Sequence, residues 1–406
     1  MPLAAPRPVP LPAPPASGRG IFRAMTDDDA APTPTNGRLT LLVAAVAFLA
    51  LGGLVSLYGP LFPALRARFD VGVEQVGAVV SAHFFGSLAA VLAAGEAIRR
   101  WGYRAVLTLG AALLTAGLAG LAPAPSWPVF LVSACLAGVG FGATQVAVNL
   151  LVARTFMGRA TPALNLINAV FGAGAVLTPV IVAASAPRPE PPMWVLTGLS
   201  ALVLVAVRSL LRAVPRPPRR PGAGEPVAWG ALAAFVLLYF GYVSAEVGVT
   251  SWSTEHLTPT LGPAAAAAVP GVYWATLTVG RLLAAALGAR VRPGRLLVWC
   301  LGAAVAALLG ALHAPLAPVM YGLVGLAFAP TFATGLAWLT ERMPSRAEQA
   351  SPAVFAAASV GPIATAPLVG VAVASFGPSS VPAALAALAA LALLSAAWLR
   401  RGDARG

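Results

Sequence analysis

Residues 213–227, AVPRPPRRPGAGEPV, are the longest polar interruption between the apolar runs of this chain, with five prolines and three arginines in fifteen residues. Six apolar runs precede the interruption and six follow it. A run of about 20 apolar residues is long enough to cross a bilayer as a helix. The linker therefore divides a chain of twelve spans into two equal sets.

Composition supports that reading. The 406 residues are 59% hydrophobic and 10% charged, with a mean hydropathy of +0.84, whereas soluble domains carry about 25% charged residues. The runs are rich in Ala and Leu and lack the in–out alternation of an outer-membrane barrel. The expected fold is an all-α membrane protein of twelve transmembrane helices, at 39–64, 74–97, 105–122, 128–153, 163–185, 193–212, 228–252, 266–288, 296–313, 316–340, 351–376 and 380–399. The matching division is an N-terminal tail (1–38), a six-helix bundle (39–212), a linker (213–227), a second six-helix bundle (228–400) and a short tail (401–406). The first tail is Pro-rich, then acidic at Asp27, Asp28 and Asp29, and has no secretory apolar region. It is expected to be disordered, with Met25 an alternative translation start.

The net charge of +13 comes from arginines spread between the runs, and none of the 26 basic residues is lysine. Arginines 99–104, 154–159, 212–220, 290–295, 342–346 and 400–401 all flank connections on one side. The opposite side has only Arg66, Arg68 and Arg188, the first two beside Asp70 and Glu74. By the positive-inside rule both termini are cytoplasmic, and the expected location is a bacterial cytoplasmic (inner) membrane. This scatter points away from nucleic acid. Cys135 and Cys300 lie inside apolar runs without metal-type spacing and read as core thiols. No P-loop is present, and His83, His256 and His313 are scattered, so neither ATP, a cofactor nor clustered enzyme chemistry is expected.

The halves repeat. Gly53-Leu-Val-Ser-Leu-Tyr58 in span 1 matches Gly241-Tyr-Val-Ser-Ala-Glu246 in span 7, and Ala169-Val-Phe-Gly-Ala in span 5 matches Ala353-Val-Phe-Ala-Ala in span 11. The offsets agree within an ordinary loop insertion, and a six-plus-six parallel repeat is the organisation of major facilitator transporters. Between spans 2 and 3, Gly95-Glu-Ala-Ile-Arg-Arg-Trp-Gly-Tyr-Arg104 resembles the loop signature of that superfamily at Gly95, Arg100, Gly102 and Arg104, which implies a gating role. Arg99 stands where the family has Asp, with Glu96 three residues earlier.

A narrower resemblance is to the fucose–proton symporter and sodium-dependent glucose transporter subfamily. It rests on Gln145-Val-Ala-Val-Asn149, on Asn165-Leu-Ile-Asn168-Ala, on Tyr242-Val-Ser-Ala-Glu246-Val and on Trp274 leading to Gly280-Arg281-Leu-Leu. It implies a sugar-type scaffold. Neither carboxylate that the family's proton-coupled members use is present: span 1 reads Leu54-Val-Ser56-Leu-Tyr58, and Gln145 replaces Glu in span 4.

The residues themselves suit such a site. Gln145 and Asn149 share one helix face, as do Asn165 and Asn168. Amides offer donor and acceptor together to a neutral polyol, or else hydrogen-bond between helices. Tyr58, Tyr242, Tyr273, Trp274 and Trp338 are candidate stacking surfaces in spans 1, 7, 8 and 10, while Trp101, Trp252 and Trp398 read as an interfacial belt. His83 is a candidate coupling residue, or a buried histidine with its bonds satisfied. Glu246 is the acid well inside a predicted span. A charge in hydrocarbon costs about 2.5–3.5 kcal/mol, and such residues usually face a cavity or a partner. It is a candidate for substrate binding and for coupling to a proton or sodium ion, with Arg281 expected too near the cytoplasmic end to pair with it. The resulting expectation is a monomeric secondary transporter of a neutral sugar or polyol. A drug or metabolite exporter of the same fold is the alternative, and a non-transporting sensor a more distant one.

Overall fold

The computed structural model describes residues 37–156, 160–186, 188–210, 229–287, 291–343 and 347–403. The expected linker, nearly all of the N-terminal tail and the last residues lie outside them. The chain is almost wholly helical. Spans 1 to 6 are Gly37–Val55 with Tyr58–Phe69, Val73–Val76 with Ala78–Trp101, Tyr103–Leu121, Trp127–Thr155, Ala160–Ser185 and Glu190–Leu210. Spans 7 to 12 are Trp229–Leu261, Pro263–Leu287, Pro293–Gly310, Ala317–Phe328 with Thr331–Arg342, Ala347–Phe376 and Val381–Asp403. Among the described residues eleven of these are apolar enough to cross a membrane by composition. The twelfth, span 8, is 25 residues long and carries Arg281 near its end.

Packing repeats with a shift of six. Span 1 packs on spans 5 and 6, span 2 on span 4, and span 3 on spans 4 and 6. Likewise span 7 packs on 11 and 12, span 8 on 10, and span 9 on 10 and 12. This is the two-bundle arrangement expected from the internal repeat.

Span 1 breaks where span 7 does not. Helix geometry stops after Val55 and restarts at Tyr58, whereas span 7 runs unbroken through its matching residues to Leu261. In the repeat, Pro60 occupies the position of Gly248. Proline has no N–H to give the carbonyl four residues back, and its ring crowds that carbonyl; glycine keeps the donor. Ser56 fills part of the gap by donating from Oγ to the carbonyls of Gly52 and Gly53, each at 3.3 Å. Span 10 breaks in the same way just before Thr331, at Pro330.

Span 7 is also longer than expected. Near its end, Ser253-Thr-Glu-His-Leu257 is polar but buried, because it packs on neighbouring helices: Glu255 on Arg66 of span 1, Thr254 on the Ala266 carbonyl of span 8 and His256 on Tyr321 of span 10. Trp252 therefore does not belong to an interfacial belt. It is fully buried, with its ring edge-on to Phe62 at 5.0 Å. Trp101 and Trp398 are more than half exposed, as belt residues are.

Candidate functional site

The two bundles meet along three seams. Spans 5 and 8 pack together, spans 2 and 11 pack together, and the second helix of span 1 lies on spans 7 and 8. The named contacts of the last two seams lie toward the arginine-poor end. The Ser81 hydroxyl donates to the Ile363 carbonyl at 2.7 Å across the seam. Gly59 lies so close to span 7 that a Cβ there would collide with the Thr250 carbonyl and the Ser251 Cα. One turn further out, Arg66 of span 1 forms an ion pair with Glu255 of span 7. Sequence reasoning missed that partnership: it set Asp70 and Glu74 beside Arg66 and ended span 7 before Glu255. By contrast, among the described residues the main packing partners of the first helix of span 1 are all in its own bundle, and so are those of the second helix of span 10. Among the described residues the named contacts between the bundles thus lie at the arginine-poor end and at mid-span, and none is seen at the arginine-rich end, the side on which a cleft between the bundles would open.

The stripe of span 5 that meets span 8 shows where this cleft begins. Phe171 sits edge-on to Trp274 at 5.9 Å, and Gly172 faces Thr278. Asn168 and Asn165 continue the same helix face one and two turns toward the arginine-rich end, and both are exposed. The Asn168 amide donates to the Leu164 carbonyl at 2.8 Å, which leaves its side-chain oxygen free to accept.

Each bundle places buried polar groups within about one helical turn, along its own span, of the contact between Gly59 and Thr250. From the first bundle comes Tyr58, whose hydroxyl is 3.5 Å from Nδ1 of His83. The His83 ring also lies 5.1 Å from that of Phe141. Half-buried Gln145 and Asn149 follow Phe141 along span 4 at one-turn intervals, with the Asn149 amide donating to the Gln145 carbonyl at 3.0 Å. From the second bundle comes Glu246, one turn below Thr250 and only 9% exposed. Tyr242, one turn before it, and Arg281 and Tyr273 lie within its electrostatic reach. The Tyr242 ring is held edge-on to Phe328 at 5.2 Å. Arg281 forms no ion pair with Glu246 among the described residues, although its charge lies within electrostatic reach of the carboxylate. It stands two turns along span 8 from Trp274 and on the same face.

Several buried polar atoms here have no hydrogen-bond partner among the described residues: Nε2 of His83, the Tyr273 hydroxyl, Nε1 of Trp274 and Oγ of Ser244. A buried polar group left unpaired costs about 1–3 kcal/mol. Ser244 faces Gly361 of span 11 and His83 lies among first-bundle rings, whereas the Tyr273 hydroxyl is within electrostatic reach of Glu246 and suited, with its chain neighbour Trp274, to the hydroxyls of a ligand.

Trp338 is not part of this cluster. Its ring packs on Phe235 at 5.4 Å and over Gly294, and Phe235 precedes Glu246 by eleven residues, about 16 Å of helix. The Gly95–Arg104 loop is remote as well, at the arginine-rich end. There Glu96 pairs with both Arg99 and Arg100. Gly102 adopts φ +83° between spans 2 and 3. Arg104 donates to the Arg208 carbonyl at 2.6 Å and so caps the end of span 6. Arg281, Ser244, Phe171 and Thr278 were not singled out in the sequence as binding residues, although Arg281 and Phe171 stand in the quoted motifs.

The Major Facilitator Superfamily model matches residues 42–354. The chain belongs to the major facilitator superfamily. That makes it a multi-pass membrane protein of a transporter family, not an enzyme. An uncharacterised MFS-type transporter of Yersinia pestis is 26% identical over 252 residues, which cover 58% of this chain and 63% of that relative, less than two thirds of its length. Among solved structures, the nucleoside transporter NupG matches with a TM-score of 0.74 at 13% identity, covering 89% of this chain and 99% of that one. The Escherichia coli fucose–proton symporter matches at 0.60 and 17%, covering 88% and 98%. At these identities the likeness is one of fold.

Proposed function

We propose that this chain is a secondary active transporter that moves a neutral sugar or similar polyol across a bacterial cytoplasmic membrane by alternating access. In this reading the arginine-rich end and both termini are cytoplasmic, residues 39–212 and 228–400 rock against each other about the linker 213–227, and the described arrangement is closed outside and open inside. The observation that carries the reading is the unpaired, buried Tyr273 hydroxyl within the electrostatic reach of Glu246, beside the unpaired Nε1 of Trp274, whose ring meets Phe171 of the other bundle.

A hexose-sized ligand would pack a C–H face on the Trp274 ring, whose nitrogen and the neighbouring Tyr273 hydroxyl would bond its oxygens. Gln145 and Asn168 would meet its lower edge, and Tyr58 and His83 its far side. Glu246 accepts hydrogen bonds from hydroxyls and is the group on which a co-transported proton or sodium ion would act. Closure around the ligand would satisfy donors that are otherwise orphaned. Export of cationic drugs fits less well, because the positive charge of Arg281 lies within reach of the same carboxylate.

A thermal-shift screen of the purified protein against monosaccharides and polyols, with and without sodium and across pH, tests this reading. Stabilisation by at least one sugar is the expected result. Stabilisation by cationic drugs and by no sugar would reject it.

A further inference from the structure

Three arginines sit at the arginine-poor end, against the charge rule that the rest of the chain obeys. Arg66 is used by Glu255. The other two, Arg68 and Arg188, line a single cavity of about 610 Å³, within the usual range of small-molecule sites of about 300–1,000 Å³. Its walls come from both bundles: Pro60, Leu61 and Pro63 of span 1 and Val182 of span 5 on one side, Pro263 and Ala267 of span 8 on the other. Most of this lining is apolar.

Arg68 is fixed in place. One nitrogen, Nη2, donates to the carbonyls of Ala122 and Ala124 at 2.8 and 2.9 Å. The other, Nη1, is buried without a hydrogen-bond partner among the described residues and lies 3.9 Å from Glu190. Glu190 also lines the cavity and offsets one of the two positive charges. Arg188 is exposed and forms no ion pair among the described residues. The lining therefore keeps a net charge of +1, with two guanidinium groups bordering an apolar wall.

We propose that this cavity is a second ligand site, distinct from the cleft around Glu246, and that it takes an amphiphile with an anionic oxyacid head. The head, a phosphate or carboxylate, would sit against Arg188 and Nη1 of Arg68, where charge-assisted bonds to planar guanidinium groups are strong. The apolar body would lie along the proline-rich wall. A membrane phospholipid and a soluble anionic amphiphile share this chemistry.

The experiment uses full-length protein in neutral detergent, with dodecyl phosphate, dodecanol and inorganic phosphate as separate probes in a thermal-shift titration. Dodecyl phosphate is expected to stabilise the protein at concentrations where dodecanol and inorganic phosphate do not. Arg188→Gln, which removes an exposed side chain, is expected to weaken that binding roughly tenfold, the equivalent of one charge-assisted bond. Ala186→Trp, which fills the cavity without changing its charge, is expected to abolish it. Repeating the titration in nanodiscs of phosphatidylglycerol and of phosphatidylcholine separates the sources. Loss of the dodecyl phosphate effect only in phosphatidylglycerol identifies a lipid as the occupant, and its persistence in both identifies a soluble one. Equal shifts with dodecanol, or shifts that neither substitution reduces, would overturn the site.

Discussion

Replacing Arg66 with alanine takes away the one ion pair seen between the bundles among the described residues, and its effect can be estimated from the two exposures. Arg66 is 36% exposed and Glu255 only 8%, so the loss is asymmetric. Without Arg66 the Glu255 carboxylate is left buried and unpaired whenever the arginine-poor end is closed, and it regains water when that end opens. A charge-assisted hydrogen bond contributes about 1.5–3 kcal/mol, and discounting for the exposed arginine gives about 1.5–2 kcal/mol. At 1.4 kcal/mol per factor of ten, the balance between closed and open should move by roughly 10- to 30-fold toward open. Glu255→Gln leaves an arginine that already reaches water, so it should move the balance less, by roughly 3-fold. The assay is pulsed electron–electron distance measurement between spin labels at Asp70 and Leu261, in a background with Cys135 and Cys300 replaced. Arg66→Ala should lengthen a large share of the distances, Glu255→Gln a smaller share, and the Arg66→Glu, Glu255→Arg exchange should recover much of the short population. Identical distributions in all four proteins would refute the reasoning.

Other perturbations probe different parts of the account. Gly59→Val places a side chain against the Thr250 carbonyl and Ser251, so the same label pair should lose its short distances and transport should fall to background. Glu246→Gln should abolish concentrative uptake with expression intact; accumulation at the unmutated level would remove Glu246 from the coupling role. Trp274→Ala should raise the half-saturating substrate concentration at least about tenfold, since it removes both a stacking surface and an indole donor. Trp338→Phe, some turns away from that cluster, should leave it unchanged within twofold, as measured by uptake titration. Gly102→Ala forces a β-carbon into φ +83° at a cost of about 1–2 kcal/mol, which should appear as a lower thermal midpoint without a change in substrate affinity.

Much of this architecture is written in local chemistry. Twelve apolar runs, arginines on alternate connections and the Gly53–Tyr58 and Gly241–Glu246 match lead directly to two six-helix bundles, because hydrocarbon allows few ways to satisfy a backbone. The same match contains the break in span 1, as Pro60 against Gly248, although the contrast is silent until the two stretches are laid side by side. Long-range partnerships are less legible. Glu255 stands in a polar stretch, TSWSTEHL, that by hydropathy marks a span's end; its burial rests on partners in spans 1, 8 and 10 that hydropathy does not report. Trp252 was misplaced because an aromatic near a span end suits lipid headgroups and a helix seam equally well; Trp338, expected as a stacking surface of the cavity, packs instead on Phe235 and over Gly294.

The most direct test is uptake of a panel of radiolabelled monosaccharides and polyols into proteoliposomes under imposed proton or sodium gradients. The account predicts accumulation of at least one neutral sugar or polyol above equilibrium, driven by one of the two gradients. Absence of sugar uptake under either gradient, together with gradient-driven expulsion of cationic dyes by the same vesicles, would contradict it.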